Sequence, residues 1–349
     1  MSEDAARDAY ERATSESLRL HAGWPFVNYT PGLIAVAVSG GSDSMAVLDL
    51  MHWQAKTLGC ELCAVTVDHG LRPEAKDEIA YVAAFCATRN IPHDVLRWDG
   101  WTGQGNLQAK ARQARYGLLT TWAAQKGVDC VVLGHTRDDQ AETVLMRLAR
   151  ASGVDGLSGM PDRFTRDDLV FLRPVLSQSR EDLRDYLRVQ DIAWCDDPSN
   201  EDDSFERVRA RKAGRVLADL GIDDETLARV AWHAQSASWA LEDYLLKEVG
   251  QNGLVEEDRG DLIIPEMTPT PGFDAPAEIH RRAIARALQW MSGSDYPPRS
   301  MALTNLSVGL LNADRHTLSG CFVSRLSKGG RRYEEKLRIT REYNAVRNV

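Results

Sequence analysis

The stretch LIAVAVSGGSDSMAVLDLM, Leu33 to Met51, changes character twice. Leu33 to Val38 is an unbroken apolar run, the pattern of a strand covered on both faces in a parallel sheet. Ser39-Gly40-Gly41-Ser42-Asp43-Ser44 follows, and apolar residues then return with a different period. A strand that ends in Gly-Gly and feeds a helix leaves backbone N–H groups exposed at the positive end of the helix dipole, which makes a phosphate cradle. Gly40 and Gly41 let the backbone approach an anion closely, while Ser39, Ser42 and Ser44 offer hydroxyl donors. The Asp43 carboxylate would repel a bare phosphate, so it makes more sense holding magnesium (Mg2+) or a water that bridges the phosphates. No lysine follows in the G-x-x-x-x-G-K-[ST] spacing, so this is not a Walker A loop. The competing reading is a tight turn with a serine helix cap.

Outward from this loop, strand-like runs alternate with longer amphipathic segments, the signature of an α/β fold. Strands are expected at Leu33–Val38, Leu62–Val67, His93–Arg97 and Cys130–Gly134, with helices at Ser44–Thr57, Ala75–Arg89, Asn106–Lys126 and Asp138–Ala149. Pairing such strands across helical crossovers gives a parallel twisted sheet with helices on both faces. From Arg180 the pattern turns helical, at Arg180–Val189, Ser204–Leu220 and Asp224–Glu248. A stretch that clusters Gly and Pro, residues 251–277, then marks a linker or an irregular start to a second domain. One clear helix, Pro276–Met291, and strand-like pieces around Thr317–Arg325 and Arg338–Thr340 give that smaller domain an α+β character. The expected organisation is an N-terminal extension over 1–22, the α/β domain over 23–218, a helical linker over 219–250 and the C-terminal domain over 251–349.

At 349 residues, 43% apolar and 27% charged, the composition is that of a soluble globular protein of about two domains. The first twenty residues mix acids and bases without an apolar h-region, and no apolar run approaches the roughly 18 residues of a membrane span. Cytoplasmic residence is therefore expected. A net charge of -9 argues against a generally basic coat for nucleic acid. Two basic clusters still stand out: Arg207, Arg209, Arg211, Lys212 and Arg215, and then Arg325, Lys328, Arg331, Arg332, Lys336, Arg338 and Arg341. Each could bind phosphates or be a solvated face. The six cysteines are too scattered for a disulfide scaffold, and the single C-x-x-C, Cys60 and Cys63, reads as two small apolar residues entering a strand.

GHTRDDQAET, Gly134 to Thr143, repeats the logic of the first motif, with a strand end followed by carboxylates at a helix start. Asp139 and Glu142 share one helix face. In an open parallel sheet the carboxyl ends of the strands line the ligand crevice, so that face can look toward the glycine loop. Two acids there could hold magnesium or a substrate ammonium; acids also favour helix N-termini for dipole reasons alone.

SGGSDS, with VDHGLR (Val67–Arg72), ARQARY (Ala111–Tyr116), LGHTRDDQAETVLMRLARASGVDGLSGM (Leu133–Met160) and DPSN (Asp197–Asn200), resembles the PP-loop N-type ATP pyrophosphatases. Within that superfamily the strings resemble the tRNA(Ile)-lysidine synthetases. YPPR (Tyr296–Arg299), TLSGC (Thr317–Cys321) and ITRE (Ile339–Glu342) match that family's C-terminal tRNA-binding region in outline. The resemblance implies an adenine nucleotide α-hydrolase-like fold and a ligase that uses ATP and magnesium. Its substrates would be free L-lysine and an isoleucine tRNA with a CAU anticodon, whose wobble cytidine is adenylated at the C2 carbonyl oxygen and then attacked by the lysine ε-amine. By the same resemblance Ser39 to Ser44, Val67 and Gly134 bind ATP, Asp43 carries the metal, and Asp139 and Glu142 grip lysine, one of them taking a proton. His135 would orient the substrate and Arg115 would stabilise developing charge, with Arg112 ranked second. Arg207, Arg209, Arg211, Lys212, Arg331 and Arg332 would bind tRNA. One departure falls at RVRAR, where Val208 and Ala210 stand in place of the family's Asn-x-Ile pattern and the Asn hydrogen bonds are lost. The rivals are a PP-loop tRNA 2-thiocytidine synthase, for which a single C-x-x-C is thin support, and a noncatalytic nucleotide-dependent tRNA-binding module. Helical surface leaves room for a homodimer.

Overall fold

A computed structural model describes residues 31–70, 74–101, 105–196, 206–252, 256–258, 260–265, 277–294, 297–313, 315–326 and 336–342. Outside them lie the extension 1–22, the Leu71-Arg72 end of VDHGLR, DPSN, most of the Gly/Pro stretch, Tyr296, and the Lys328, Arg331 and Arg332 positions.

The chain forms two compact units, residues 1–151 with 156–233, and 152–155 with 234–349. The first unit is built on strands β1 (Leu33–Ala37), β2 (Glu61–Asp68), β3 (His93–Arg97), β4 (Cys130–Leu133), β5 (Arg163–Arg166) and β6 (Leu169–Leu172). They form one sheet in the order β3-β2-β1-β4-β6-β5. Its pairings are parallel except at the edge, where β5 runs antiparallel to β6. Helices α1 (Ser42–Leu58), α2 (Ala75–Thr88), α3 (Leu107–Lys126), α4 (Arg137–Leu148), the short α5 (Val154–Leu157), α6 (Arg180–Val189), α7 (Glu206–Ala218) and α8 (Asp224–Asn252) follow in chain order.

The apolar run of β1 is unbroken because it lies between β2 and β4, with Ala35 opposite Cys63 on one side and Val131 on the other. Ile34 and Val36 pack with Met45 and Leu48 of α1, Val82 of α2 and Leu183 and Leu187 of α6. Ala35 and Ala37 face the opposite way, toward Tyr116, Leu119 and Ala123 of α3 and Phe171 of β6. Helices therefore cover both faces. The expected strands and helices of this unit appear within two residues of their predicted ends up to α6. Strands β5 and β6, not expected from sequence, are joined by Asp167 and Asp168, both at positive φ (46° and 62°). That is the geometry of a two-residue turn matched to strand twist, made here without the usual glycine.

Asp49 fixes three helices at once. Its carboxylate, fully buried on α1, accepts from Arg89 Nε (2.8 Å) at the end of α2 and from the Tyr186 hydroxyl (2.6 Å) on α6.

In the second unit, β7 (Glu256–Asp258), β8 (Asp261–Pro265), β9 (Arg315–Leu318), β10 (Cys321–Leu326) and β11 (Lys336–Arg341) make an antiparallel sheet in the order β7-β8-β11-β10-β9. Helices α9 (Ala277–Ser292) and α10 (Ser300–Asn312) complete it. Ile264, Ile279, Leu288, Leu303, Val323 and Ile339 share its core. Thr317–Arg325, expected as one strand-like piece, divides at Ser319 and Gly320, both at positive φ, into β9 and β10. α10 is a second helix where one was expected. The division between the units falls inside α8, between His233 and Ala234. No helix among the described residues is long and apolar enough to cross a membrane.

Replacing Asp49 with Ala leaves Arg89 and Tyr186 without their acceptor, so chemical denaturation is expected to show a loss of about 2–4 kcal/mol. A loss under about 0.5 kcal/mol would mean that the three helices do not depend on this carboxylate.

Candidate active site

A cleft of about 1400 Å³ opens beyond the carboxyl ends of β1 and β4. Two helices start there, α1 after β1 and α4 after β4. The glycine loop is closed by Ser44: its hydroxyl donates to Gly41 O (3.0 Å), accepts from Ser39 N–H (3.2 Å) and lies 3.2 Å from Ser39 Oγ. Gly40 sits at φ 92°, which a side chain would strain. Gly41, the N-cap of α1, supplies no side-chain cap, so the first N–H groups of the helix keep their capacity for an anion. Gly134 matters for the space it leaves, since a Cβ there would lie 2.9 Å from the Asp43 carbonyl oxygen. Only a residue without a side chain lets the end of β4 come this close to the first turn of α1.

The second motif is both a cap and a wall. Thr136 and Asp139 form a capping box at the start of α4, with Asp139 Oδ2 accepting from Thr136 N–H (2.9 Å). Asp139 Oδ1 faces the cleft, 3.4 Å from Arg180 and 3.8 Å from Arg207. Glu142 Oε1 accepts from Arg211 Nε (2.7 Å). Its buried Oε2 has no hydrogen bond among the described residues, the nearest cation being Arg207 Nε at 3.7 Å. Gln140, also in the motif, is structural: its amide exchanges hydrogen bonds with both backbone groups of Met160.

Electrostatics separate the acids. Burial pushes the Asp43 carboxyl up and neighbouring Asp139 adds to this, against the opposing pull of Arg180 and Ser42. Burial also opposes ionisation of Asp139, but Arg207, His135 and Arg180 outweigh it and hold that carboxyl below its ordinary value. Glu142 is pushed up by burial and by Asp139, with Arg211 and Arg207 opposing. Burial, aided by Arg173, Arg115 and Arg207, holds His135 down to about 3. Its Nδ1 accepts from Arg173 Nε (3.2 Å), so the proton of the neutral ring sits on Nε2.

Of the residues singled out from sequence, Ser39, Gly41, Ser42, Asp43, Ser44, Arg115, Gly134, His135, Asp139, Glu142, Arg207, Arg211 and Lys212 line this one cleft. Gly40, Val67 and Arg209 do not line it, and Arg112 is exposed on α3. Arg207 and Arg211 reach the acids of α4. Val208 and Ala210, the departures from the family pattern, are buried in regular helix. Three arginines were not anticipated. Arg180 Nε binds Asp43 Oδ2 (3.0 Å) while its backbone N–H binds Asp138 (2.8 Å), Arg184 donates to Ser42 Oγ (3.4 Å), and Arg173 orients His135. The available signal was the S-x-x-D capping box of Ser179 and Asp182, which starts α6 at Arg180.

Residues 15–216 match the PP-loop domain family. The chain is 42% identical over 335 residues to the tRNA(Ile)-lysidine synthase of Ruegeria pomeroyi, covering 96% of this chain and 77% of that one. It is 41% identical over 299 residues to the tRNA(Ile)-lysidine synthase of a Bradyrhizobium species, covering 82% and 81% respectively. Among solved structures, a U34-tRNA thiolase from Methanococcus maripaludis shares the fold, with a TM-score of 0.54 at 16% identity over 67% of this chain and 81% of that one.

Two outcomes follow from this geometry. Gly134→Ala forces backbone apart at the Asp43 contact, and is expected to cost about 1–3 kcal/mol in denaturation and to weaken ATP binding; unchanged values for both would show that the contact can relax. For His135 the native pKa lies below the unfolded value, so the unfolded chain takes up the proton first. Its contribution to stability is complete above about pH 6.5 and is lost as pH falls toward 3. Stability of the His135→Asn protein should therefore fall less steeply across that window than that of wild type, measured by denaturant titration at each pH.

Proposed function

Because the chain belongs to the tRNA(Ile)-lysidine synthase family, we propose that it converts the wobble cytidine of isoleucine tRNA with a CAU anticodon to lysidine, in two steps within one cleft. ATP adenylates the C2 carbonyl oxygen with release of pyrophosphate; the ε-amine of free L-lysine then attacks C2, the C2–O bond breaks, and AMP leaves. The observation that carries this reading is the meeting of two helix N-termini, one offering bare N–H donors and the other paired carboxylates.

The α1 N–H groups and the hydroxyls of Ser39 and Ser42 receive the phosphates. Asp43 would hold magnesium: its carboxylate offers the hard oxygen donors that ion prefers, and burial and the nearby Asp139 charge raise its pKa, as in a site short of positive charge. Bound there, the metal would neutralise charge on the phosphates. Arg115, with no hydrogen-bond or ion-pair partner among the described residues, faces the cleft and stabilises charge on the adenylated base. The two acids divide the handling of lysine. Asp139, held anionic, keeps the ammonium in place, while Glu142, with a raised pKa and an unoccupied Oε2, accepts the proton that the amine must lose. His135 presents Nε2–H as a fixed donor to the base. Lys212 and Arg209 on α7 and the basic C-terminal strands contact tRNA phosphates, with the C-terminal unit as the tRNA-binding domain. A homodimer is testable by light scattering.

For the sulfur-transfer alternative, Cys195 is the one cysteine among the described residues that lines the cleft, and burial pushes its thiol up. Cys63 and Cys130 are buried in strands, and burial pushes them up to about 11 and about 12.

The deciding experiment supplies ATP, magnesium and labelled lysine to transcripts of isoleucine tRNA(CAU) and elongator methionine tRNA, counting AMP in parallel. Lysine should enter the isoleucine transcript alone, matched by AMP; AMP without lysine would move the reading to another nucleophile. Glu142→Gln should keep pyrophosphate release but slow lysine transfer by about 10²–10⁴-fold. Equal slowing of both steps would remove Glu142 from the role of base. Asp43→Ala should abolish AMP formation.

A further inference from the structure

Arg180 and Arg184 stand one turn apart on α6 and both line the cleft. The opposite side of α6 is fixed, since Leu183, Tyr186 and Leu187 are fully buried against the core that also holds Met45 and Leu48 of α1. The i, i+4 pair of guanidiniums is thereby held over the first turn of α1. Arg184 Nε lies 3.4 Å from Ser42 Oγ, and Arg180 Nε lies 3.0 Å from Asp43 Oδ2. These contacts fall on the first two residues of the helix whose N-terminus has no side-chain cap.

A multiply charged phosphate chain entering here meets a field that the helix dipole alone, worth roughly half a charge, does not balance. Asp43, Asp138, Asp139 and Glu181 line the same space. Of the other cations, Arg207 and Arg211 are turned toward Asp139 and Glu142, Arg115 approaches from α3, and Lys212 and Arg215 line the cleft from α7. Arg184 is only loosely held: among the described residues its ion pair is to Asp196 at 3.5 Å, and that carboxylate is mostly exposed. Arg180 is shared between Asp43, through Nε, and Asp139, through its terminal nitrogen, so a cation bound to Asp43 would free the Nε edge of the guanidinium.

We propose that α6 supplies the pyrophosphate subsite of the cleft, with Arg184 holding the leaving group beside the α1 N-terminus and Arg180 joining it once Asp43 is engaged. The inference rests on the adenylation reading above. As the base oxygen bonds to the α phosphorus, the bond from that phosphorus to the bridging oxygen breaks, and its electron pair goes to the departing pyrophosphate. Two planar guanidiniums aimed at those oxygens take up the charge as it develops.

The test is calorimetric titration of full-length protein with inorganic pyrophosphate and magnesium, and separately with lysine. Arg184→Gln should weaken pyrophosphate binding by about ten- to a hundredfold, with lysine affinity unchanged. Arg184→Met keeps the stem that packs near Trp194, whose ring lies 5.9 Å from the guanidinium, and should give the same loss if the Gln variant fails to fold. Arg180→Gln should weaken pyrophosphate binding as well. Affinities of the folded variants within twofold of wild type would overturn the proposal. If wild type itself neither binds pyrophosphate nor forms AMP, the adenylation reading falls first; if it does both while the variants match it, the α6 subsite alone is wrong.

Discussion

The approach of Gly134 to the backbone of Asp43 governs where everything else in the first unit can be. Strands β1 and β4 are neighbours in the sheet, and each hands its chain to a helix at the same edge. Had β4 ended in any residue with a Cβ, the two helix starts would be held further apart by the steric limit at 2.9 Å. Because they are not, N–H donors from one helix and carboxylates from the other open into the same volume. The glycine loop and the paired acids of α4 are then brought together by ordinary parallel-sheet topology.

That closeness brings an electrostatic problem, which arginines solve. Asp43, Asp139 and Glu142 are crowded and poorly solvated, and the Asp139 charge raises both of the others. Arg180 is shared between Asp43 and Asp139, and Arg211 with Arg207 serves Glu142. Matching is incomplete at Glu142 Oε2, and incomplete pairing in a buried site is where a substrate cation gains most. The acids therefore differ in proton affinity although they share a helix face, Asp139 held down by Arg207 and Arg180 and Glu142 pushed up by burial and by Asp139.

What could be read from the sequence was what is contiguous in it. The glycine loop, the acids of α4 and the alternation of β1 through α4 are local patterns, and each dictates its own backbone. Arg180 escaped because it meets Asp43 across 137 residues, with nothing in RED to distinguish it from any helix start. Arg207 and Arg211 read as a basic stripe for RNA, since sequence cannot show that α7 turns them toward α4. Four-residue strands such as β5 and β6 are too short for a period to show, and Asp167-Asp168 lacks the glycine that signals a hairpin. α10 was hidden by its Ser, Thr and Gly content, which favours turns when local preference alone is weighed.

Asp139 serves two masters through two oxygens. Oδ2 closes the first turn of α4, and Oδ1 looks into the cleft. A ligand that draws on one oxygen polarises the other, so occupancy of the cleft and the fraying of α4 are thermodynamically linked. Asparagine at this position would keep an oxygen for the cap while surrendering the anion, so the two tasks can be separated by one substitution. The start of α4 is thus tied through a single carboxylate to the charge in the cleft.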